Sequence, residues 1–201
     1  MEYLIKNVNQ IDKNQINMFY NTIPTIKRNK IDKLKNDIDK TRSIVGELLL
    51  SELLSKHGID YKDINYQINE YGKPYIDELY FNISHKNDYV ITVINEKEIG
   101  VDIEEIKSTP INTINQFATN KEKEYILSSD NKIKSLFQIY TLKEAYFKMK
   151  GTNLNNILDV EFIIDNNTIH CSDNTVEVGF INDIDGYIIS YCIEKKLKAL
   201  N

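Results

Sequence analysis

The sequence predicts an α+β protein of two halves, each a small, mainly antiparallel sheet packed with helices. Three observations predict it. Apolar residues recur near a 3.6-residue period from Lys30 to His57, as one face of a helix requires. Short runs rich in β-branched and aromatic residues, LYFNIS (79–84) and DYVITVI (88–94), read as neighbouring strands. The order of elements is strand, helix, three strands, then two helices and three strands. It separates into two α+β blocks, 1–100 and 101–201, with the acidic stretch GVDIEEI (100–106) at their junction.

Each element has a local reason. EYLIKNV (2–8) forms a short strand. In the helix from Lys30, Leu34, Ile38, Val45, Leu48, Leu49 and Leu53 make the apolar stripe, and Gly58 stops it. Gly46, inside that helix, costs roughly 1 kcal/mol against alanine, which points to close packing or a nearby ligand. INYQIN (64–69) alternates and YGKPY (71–75) breaks it. Residues 111–129 and 132–150 read as two helices, the second closed by Gly151. DVEFII (159–164), TVEVGFI (175–181) and YIISYCI (187–193) end the chain as antiparallel strands.

Composition excludes several classes. Of 201 residues 41% are hydrophobic, yet no apolar run approaches the ~18 residues of a membrane span. MEYLIKNVNQID is too polar and acidic for a secretory signal. The net charge of -5 argues against general nucleic-acid affinity. Cys171 and Cys192 lack metal-ligand spacing and read as free thiols of a cytoplasmic protein.

Five stretches carry chemistry. In GVDIEEI, Asp102 and Glu104 point to one face of an extended backbone and Glu105 to the other. Carboxylates so close repel unless a cation or proton lies between them, so the stretch is either a metal site or an acidic surface turn. In TLKEAYFKMKG (141–151), a helix stacks Tyr140, Glu144 and Lys148 on one face, with Lys143 and Phe147 in the next row. Alone this is an exposed Glu–Lys pair worth about 0.3–0.5 kcal/mol. With Asp102 and Glu104, Glu144 becomes a third carboxylate for Mg²⁺, an ion commonly held by one or two carboxylates plus substrate phosphates. Lys148 would then neutralise a phosphate oxygen or supply a proton.

FNISHKNDY (81–89) exposes Ser84 and His85 at a strand end, where the histidine is either a structural hydrogen-bonder or a ligand group. YGKPYI presents Lys73 on a turn stiffened by Pro74. In KRNKIDKLKNDIDKTRSIVG (27–46), Lys27, Arg28, Lys30, Lys33, Lys35, Lys40 and Arg42 outnumber Asp32, Asp37 and Asp39 by four. That excess is either a solvated helix face or a site for an anionic cofactor or acidic partner.

In series, these stretches resemble the 4'-phosphopantetheinyl transferases, specifically the monomeric type that activates peptide synthetases. That family's marks are D-x-x-R-[ST]-x-x-G, G-K-P, F-N-[IL]-S-H, G-[IV]-D-[IV]-E and W-x-x-K-E-[AS]-x-x-K-x-x-G. They stand here as DKTRSIVG, GKP, FNISH, GVDIE and YTLKEAYFKMKG, within residues 27–151. One position departs: Tyr140 replaces the usual tryptophan, keeping a ring and losing the indole N–H.

The resemblance implies two pseudo-symmetric halves with the active site at their junction, in a monomer. It implies that Asp102, Glu104 and Glu144 hold Mg²⁺, and that Lys27, Lys30, Arg42, Ser43, Lys73, Ser84 and His85 grip coenzyme A. Lys27, Lys30 and His85 would meet its 3'-phosphate. Lys148 would lie at the pyrophosphate. Glu144, or second Glu124, would take the proton of a carrier-protein serine that attacks coenzyme A. The partners implied are apo carrier proteins of peptide, polyketide or siderophore synthesis, with fatty-acid carriers as an alternative, docked by the basic segment or by Lys132 and Lys134. Two other readings compete: an inactive coenzyme A-binding protein of the same fold, and a Mg²⁺-dependent phosphohydrolase acting without a carrier.

Overall fold

The computed structural model describes residues 1–165 and 168–195, and the chain divides into two compact units between Glu96 and Lys97. The first unit holds β1 (Glu2–Asn7), α1 (Lys13–Tyr20), α2 (Thr25–Asp32), α3 (Asp37–Lys56), β2 (Gln67–Ile68), β3 (Pro74–Tyr75), β4 (Tyr80–Lys86) and β5 (Tyr89–Asn95). Its antiparallel sheet runs β1-β5-β4, and β2 pairs with β3 as a separate ribbon. Leu49, Leu50, Leu53 and Leu54 of α3 are fully buried in the core. The β4–β5 hairpin turns at Asn87, whose φ of 49° suits asparagine better than most residues.

The expected helix from Lys30 is in fact two. Asn36 is extended (ψ 133°) at the cap position of α3, and Asp37 and Asp39 occupy its first turn, where carboxylates favour a helix start. Leu34 and Ile38, counted in the apolar stripe, are exposed. α1 was not foreseen: Ile16 is its one buried residue, so no stripe shows. INYQIN shortens to the two residues of β2. Gly46 is explained by packing, since a Cβ there would lie 2.6 Å from Cγ2 of Ile83.

The second unit holds β6 (Ile99–Glu105), α4 (Asn120–Ser128), α5 (Lys132–Lys150), β7 (Phe162–Asp165), β8 (Thr168–Cys171), β9 (Val176–Ile181) and β10 (Tyr187–Glu194). Its antiparallel sheet runs β6-β10-β9, with β7 and β8 as a separate ribbon. The helix expected over 111–129 is a 3-10 turn, Ile111–Gln116, followed by α4. Thr119 starts α4 through a capping box with Glu122, a pattern the sequence does carry as T-N-K-E. α5 closes at Gly151 in the left-handed conformation, φ 64°. The acidic stretch forms the body of β6: Asp102 stands opposite Ser190 of β10, in mid-ladder. A boundary after residue 100 would cut this strand.

The two units repeat one topology. In each, the first strand pairs with the last, the last with the one before it, and a two-stranded ribbon follows the long helix. This is the α+β architecture of two like halves that the element order predicts.

In the second unit helix and sheet approach closely at Gly100. A Cβ built there would stand 2.0 Å from the Ala145 carbonyl oxygen and 2.3 Å from the Met149 nitrogen. Both obstacles are backbone and cannot rotate away. Gly100→Ala should therefore cost more than the ~1–3 kcal/mol of ordinary overpacking, read as a lower urea midpoint. A variant as stable as the parent would contradict the contact.

Candidate functional site

Gly100, Asp102 and Glu104 alternate along β6, so all three share the face on which Gly100 meets α5. The helix brings up Tyr140, Glu144 and Lys148, each one turn from the next. Lys148 Nζ lies 2.6 Å from Asp102 Oδ1, and Asp102 is buried, 5% exposed. The Tyr140 hydroxyl donates to Glu144 Oε1 at 2.8 Å, while its ring meets Phe117 edge-on at 5.3 Å between centroids. Burial lifts the Glu144 pKa; the Tyr140 hydrogen bond opposes that lift, the Asp102 charge adds to it, Lys148 opposes it and Glu104 adds to it. Burial, with the bond to Glu144, pushes the Tyr140 hydroxyl above its ordinary range. Asp102, Glu104, Glu144, Tyr140 and Lys148 thus form one electrostatic neighbourhood.

Among the described residues, no three His, Cys, Asp or Glu side chains are gathered so as to hold a metal ion. The three carboxylates are not a closed cage as they stand. Mg²⁺ asks for less, since it keeps several waters and often takes one or two carboxylates plus phosphate oxygens. An all-oxygen, negatively charged set split between β6 and α5 fits that chemistry. Glu124 is exposed on α4 and is not among the charges acting most on Glu144.

In the first unit the expected cations fall into two groups. Lys27 and Lys30 lie one turn apart on α2. Lys30 Nζ lies 3.4 Å from the Gly72 carbonyl oxygen, which brings it to the turn bearing Lys73. Burial first, then the Lys27 charge, lowers the Lys30 pKa. Asn69 shapes this turn by accepting from the Lys73 nitrogen at 2.9 Å. Arg42 joins the second group: it donates to the Asn87 carbonyl at 2.5 Å and pairs with Asp39 at 2.8 Å. Arg42 is thereby tied to the turn two residues beyond His85, which is exposed, whereas Ser84 is buried and Ser43 half-buried.

Two family models divide the chain between them. The 4'-phosphopantetheinyl transferase superfamily model matches residues 98–194, and the N-terminal model of 4'-phosphopantetheinyl transferase matches residues 10–97. The chain belongs to the 4'-phosphopantetheinyl transferase superfamily. Its two matches meet where the structure divides.

Among curated relatives of this superfamily, the chain is 32% identical to 4'-phosphopantetheinyl transferase gsp of Aneurinibacillus migulanus, over 75% of this chain and 65% of that protein. It is 30% identical to 4'-phosphopantetheinyl transferase Sfp of Bacillus subtilis, over 70% of this chain and 66% of that one. The match therefore spans just under two thirds of either relative's length. A looser likeness, with a TM-score of 0.45 and 25% identity, covers 50% of this chain and 64% of Thermotoga maritima holo-[acyl-carrier-protein] synthase, and carries no weight of its own.

Sequence reasoning missed two buried charge clusters in this superfamily member. Glu47 is fully buried and ion-paired with Lys27 at 3.1 Å. Its signal was an acid set between Gly46 and three leucines in the apolar run VGELLLSELL. Lys143 and Glu122 form a fully buried pair at 2.9 Å. Lys143 also donates to the carbonyls of Ile157 and Val160 at 2.8 and 2.7 Å. Glu122 accepts from the Phe162 and Thr119 nitrogens at 2.8 and 2.7 Å. One ion pair so ties α4 and α5 to the segment entering β7. Lys143→Met would strand the Glu122 charge and should cost about 3–5 kcal/mol in urea unfolding; a loss below about 1 kcal/mol would show the pair to be dispensable.

Proposed function

We propose that this chain transfers the phosphopantetheine arm of coenzyme A to a serine of an apo carrier protein and releases adenosine 3',5'-bisphosphate. The observation that carries the reading is the meeting of Asp102, Glu104, Glu144 and Lys148 on the facing surfaces of β6 and α5. Family membership supports it, and so do the relatives named as 4'-phosphopantetheinyl transferases.

On this reading the serine oxygen attacks the β-phosphorus of coenzyme A. The bond from that phosphorus to the bridging oxygen breaks, and the bisphosphate leaves with the bond's electrons. Such transfer needs positioning and charge neutralisation more than covalent help. Asp102, Glu104 and Glu144 would hold Mg²⁺, which when bound screens the diphosphate and the charge growing on the leaving group. Lys148 supplies the chain's own positive charge at the same place. Glu144 is the candidate to take the serine proton, its carboxylate oriented by the Tyr140 hydroxyl at 2.8 Å. The first unit's cations, Lys27, Lys30, Arg42 and Lys73, with Ser43, Ser84 and His85, would take the nucleotide end.

The exposed Lys132 and Lys134, at the start of α5, would meet an acidic carrier surface. A cytoplasmic monomer acting on carriers of peptide or polyketide synthesis fits this reading. Cys171 and Cys192 are free thiols, and no described helix is long and apolar enough to cross a membrane.

The test is to incubate the chain with coenzyme A, Mg²⁺ and a panel of apo carriers and read intact mass. Carriers should gain the phosphopantetheine mass; if none does, the reading fails. Asp102→Ala and Glu144→Ala should abolish the gain, and near-normal turnover in either removes that residue from the site. Lys148→Ala should lower kcat about a hundredfold with a smaller change in KM, because its charge acts most in the transition state. A change in KM alone would take Lys148 out of the reacting group.

A further inference from the structure

Glu47 has no solvent exposure, and an ionised carboxylate in a core is expensive unless fully partnered. Three donors partner it. The Tyr61 hydroxyl donates to Oε2 at 2.7 Å, the Tyr66 hydroxyl to Oε1 at 2.9 Å, and Lys27 Nζ lies 3.1 Å from Oε1. Burial, followed by the Glu47 charge, raises both phenols far above their ordinary range, so each remains a neutral donor. The phenols belong to the core. Lys27 instead reaches in from α2, its side chain still 18% exposed. Its ammonium is held from the protein side, while the side chain keeps some contact with solvent.

One turn along α2, Lys30 lies over the Gly72 turn and feels the Lys27 charge. Two like charges one helical turn apart repel, and an anion between them would relieve the repulsion.

We propose that Glu47 is a positioning residue for an anion subsite formed by Lys27 and Lys30, ordering the Lys27 ammonium for a phosphate monoester. The inference rests on the transferase reading for the ligand's identity, the 3'-phosphate of coenzyme A. A lysine free in solvent gives up much rotamer freedom when a ligand fixes it. Glu47 fixes Lys27 during folding, so less freedom is lost on binding. The Glu47 charge also has an opposing effect, because a buried carboxylate repels an incoming anion. The two effects predict opposite signs for Glu47→Gln, which keeps the side-chain shape and can still hydrogen-bond Tyr61 and Tyr66. Positioning predicts weaker binding; repulsion predicts tighter.

The experiment is calorimetry of the full chain with coenzyme A and with 3'-dephospho-coenzyme A. The parent chain should prefer coenzyme A. Glu47→Gln should weaken coenzyme A about tenfold and leave 3'-dephospho-coenzyme A unchanged. In a Lys27→Met background the same change should alter neither ligand. If Lys27→Met alone does not fold, having stranded Glu47, the single Glu47→Gln comparison still decides. Glu47→Gln overturns the proposal if it keeps the parent's preference, tightens coenzyme A, or weakens both ligands equally. A parent chain without any preference overturns the Lys27–Lys30 subsite and the Glu47 role together. The carrier-modification assay judges the transferase reading independently of all these outcomes.

Discussion

The second unit depends on one close approach, the backbone of α5 lying directly on the backbone of β6 at Gly100. Helix and strand usually meet through side chains, which keep their backbones well apart. Here the missing Cβ lets the Ala145 and Met149 backbone occupy that space, and the consequence is chemical. Asp102 is two residues along the same strand face, and Glu144 and Lys148 flank Ala145 and Met149 on the helix. With the backbones in contact, a carboxylate on the strand and an ammonium on the helix come within 2.6 Å. A wider spacing would leave four charged side chains in separate solvent shells.

The two units use glycine differently within one topology. In the first, Gly46 sits in the helix; its vacant side receives Ile83, and its carbonyl accepts from the Thr92 hydroxyl at 2.9 Å. In the second, the glycine is in the strand and the helix backbone moves in. The first arrangement makes an apolar contact, and the neighbouring Glu47, fully buried, is partnered by Tyr61, Tyr66 and Lys27. The second places polar groups face to face. Thr141 of α5 and Ser190 of β10 hydrogen-bond at 2.6 Å beneath the acidic group, so the polar surface continues into the core. Hydroxyl pairs satisfy each other there at little cost, whereas carboxylates need a cation.

The long, strongly patterned elements were legible in the sequence. α5 has its capping asparagine and closing glycine, and β4, β5, β9 and β10 their β-branched runs. α1 and β8 were not, because eight and four residues of mixed polarity leave no period to detect. The break before α3 was hidden because Leu34 and Ile38 continue an apolar spacing that no packing uses. At the candidate site, the i, i+4 spacing of Tyr140, Glu144 and Lys148 placed all three correctly on one helix face. The partner of Lys148 could not be read, since it sits 46 residues away on β6. Lys143 was placed only in the row beside them, with no sign of its burial; that burial depends on Glu122, whose visible part in the sequence is only a capping pattern.

The Lys148–Asp102 contact differs from the other ion pairs in what it can contribute. Lys143 and Glu122 are wholly enclosed and bonded on every side, so their pairing is structural. Lys148 keeps 30% of its side chain exposed while Asp102 keeps 7%. Screening on the open side limits what such a pair adds to stability, and the acid still bears the desolvation cost. The Glu104 and Lys148 charges both act on Glu144 in the same neighbourhood. On the transferase reading, a cation bringing phosphate oxygens of its own would join these carboxylates. On that reading the metal–diphosphate ligand would meet one buried and two half-buried carboxylates, with Lys148, still open to solvent, beside them to take up a phosphate oxygen.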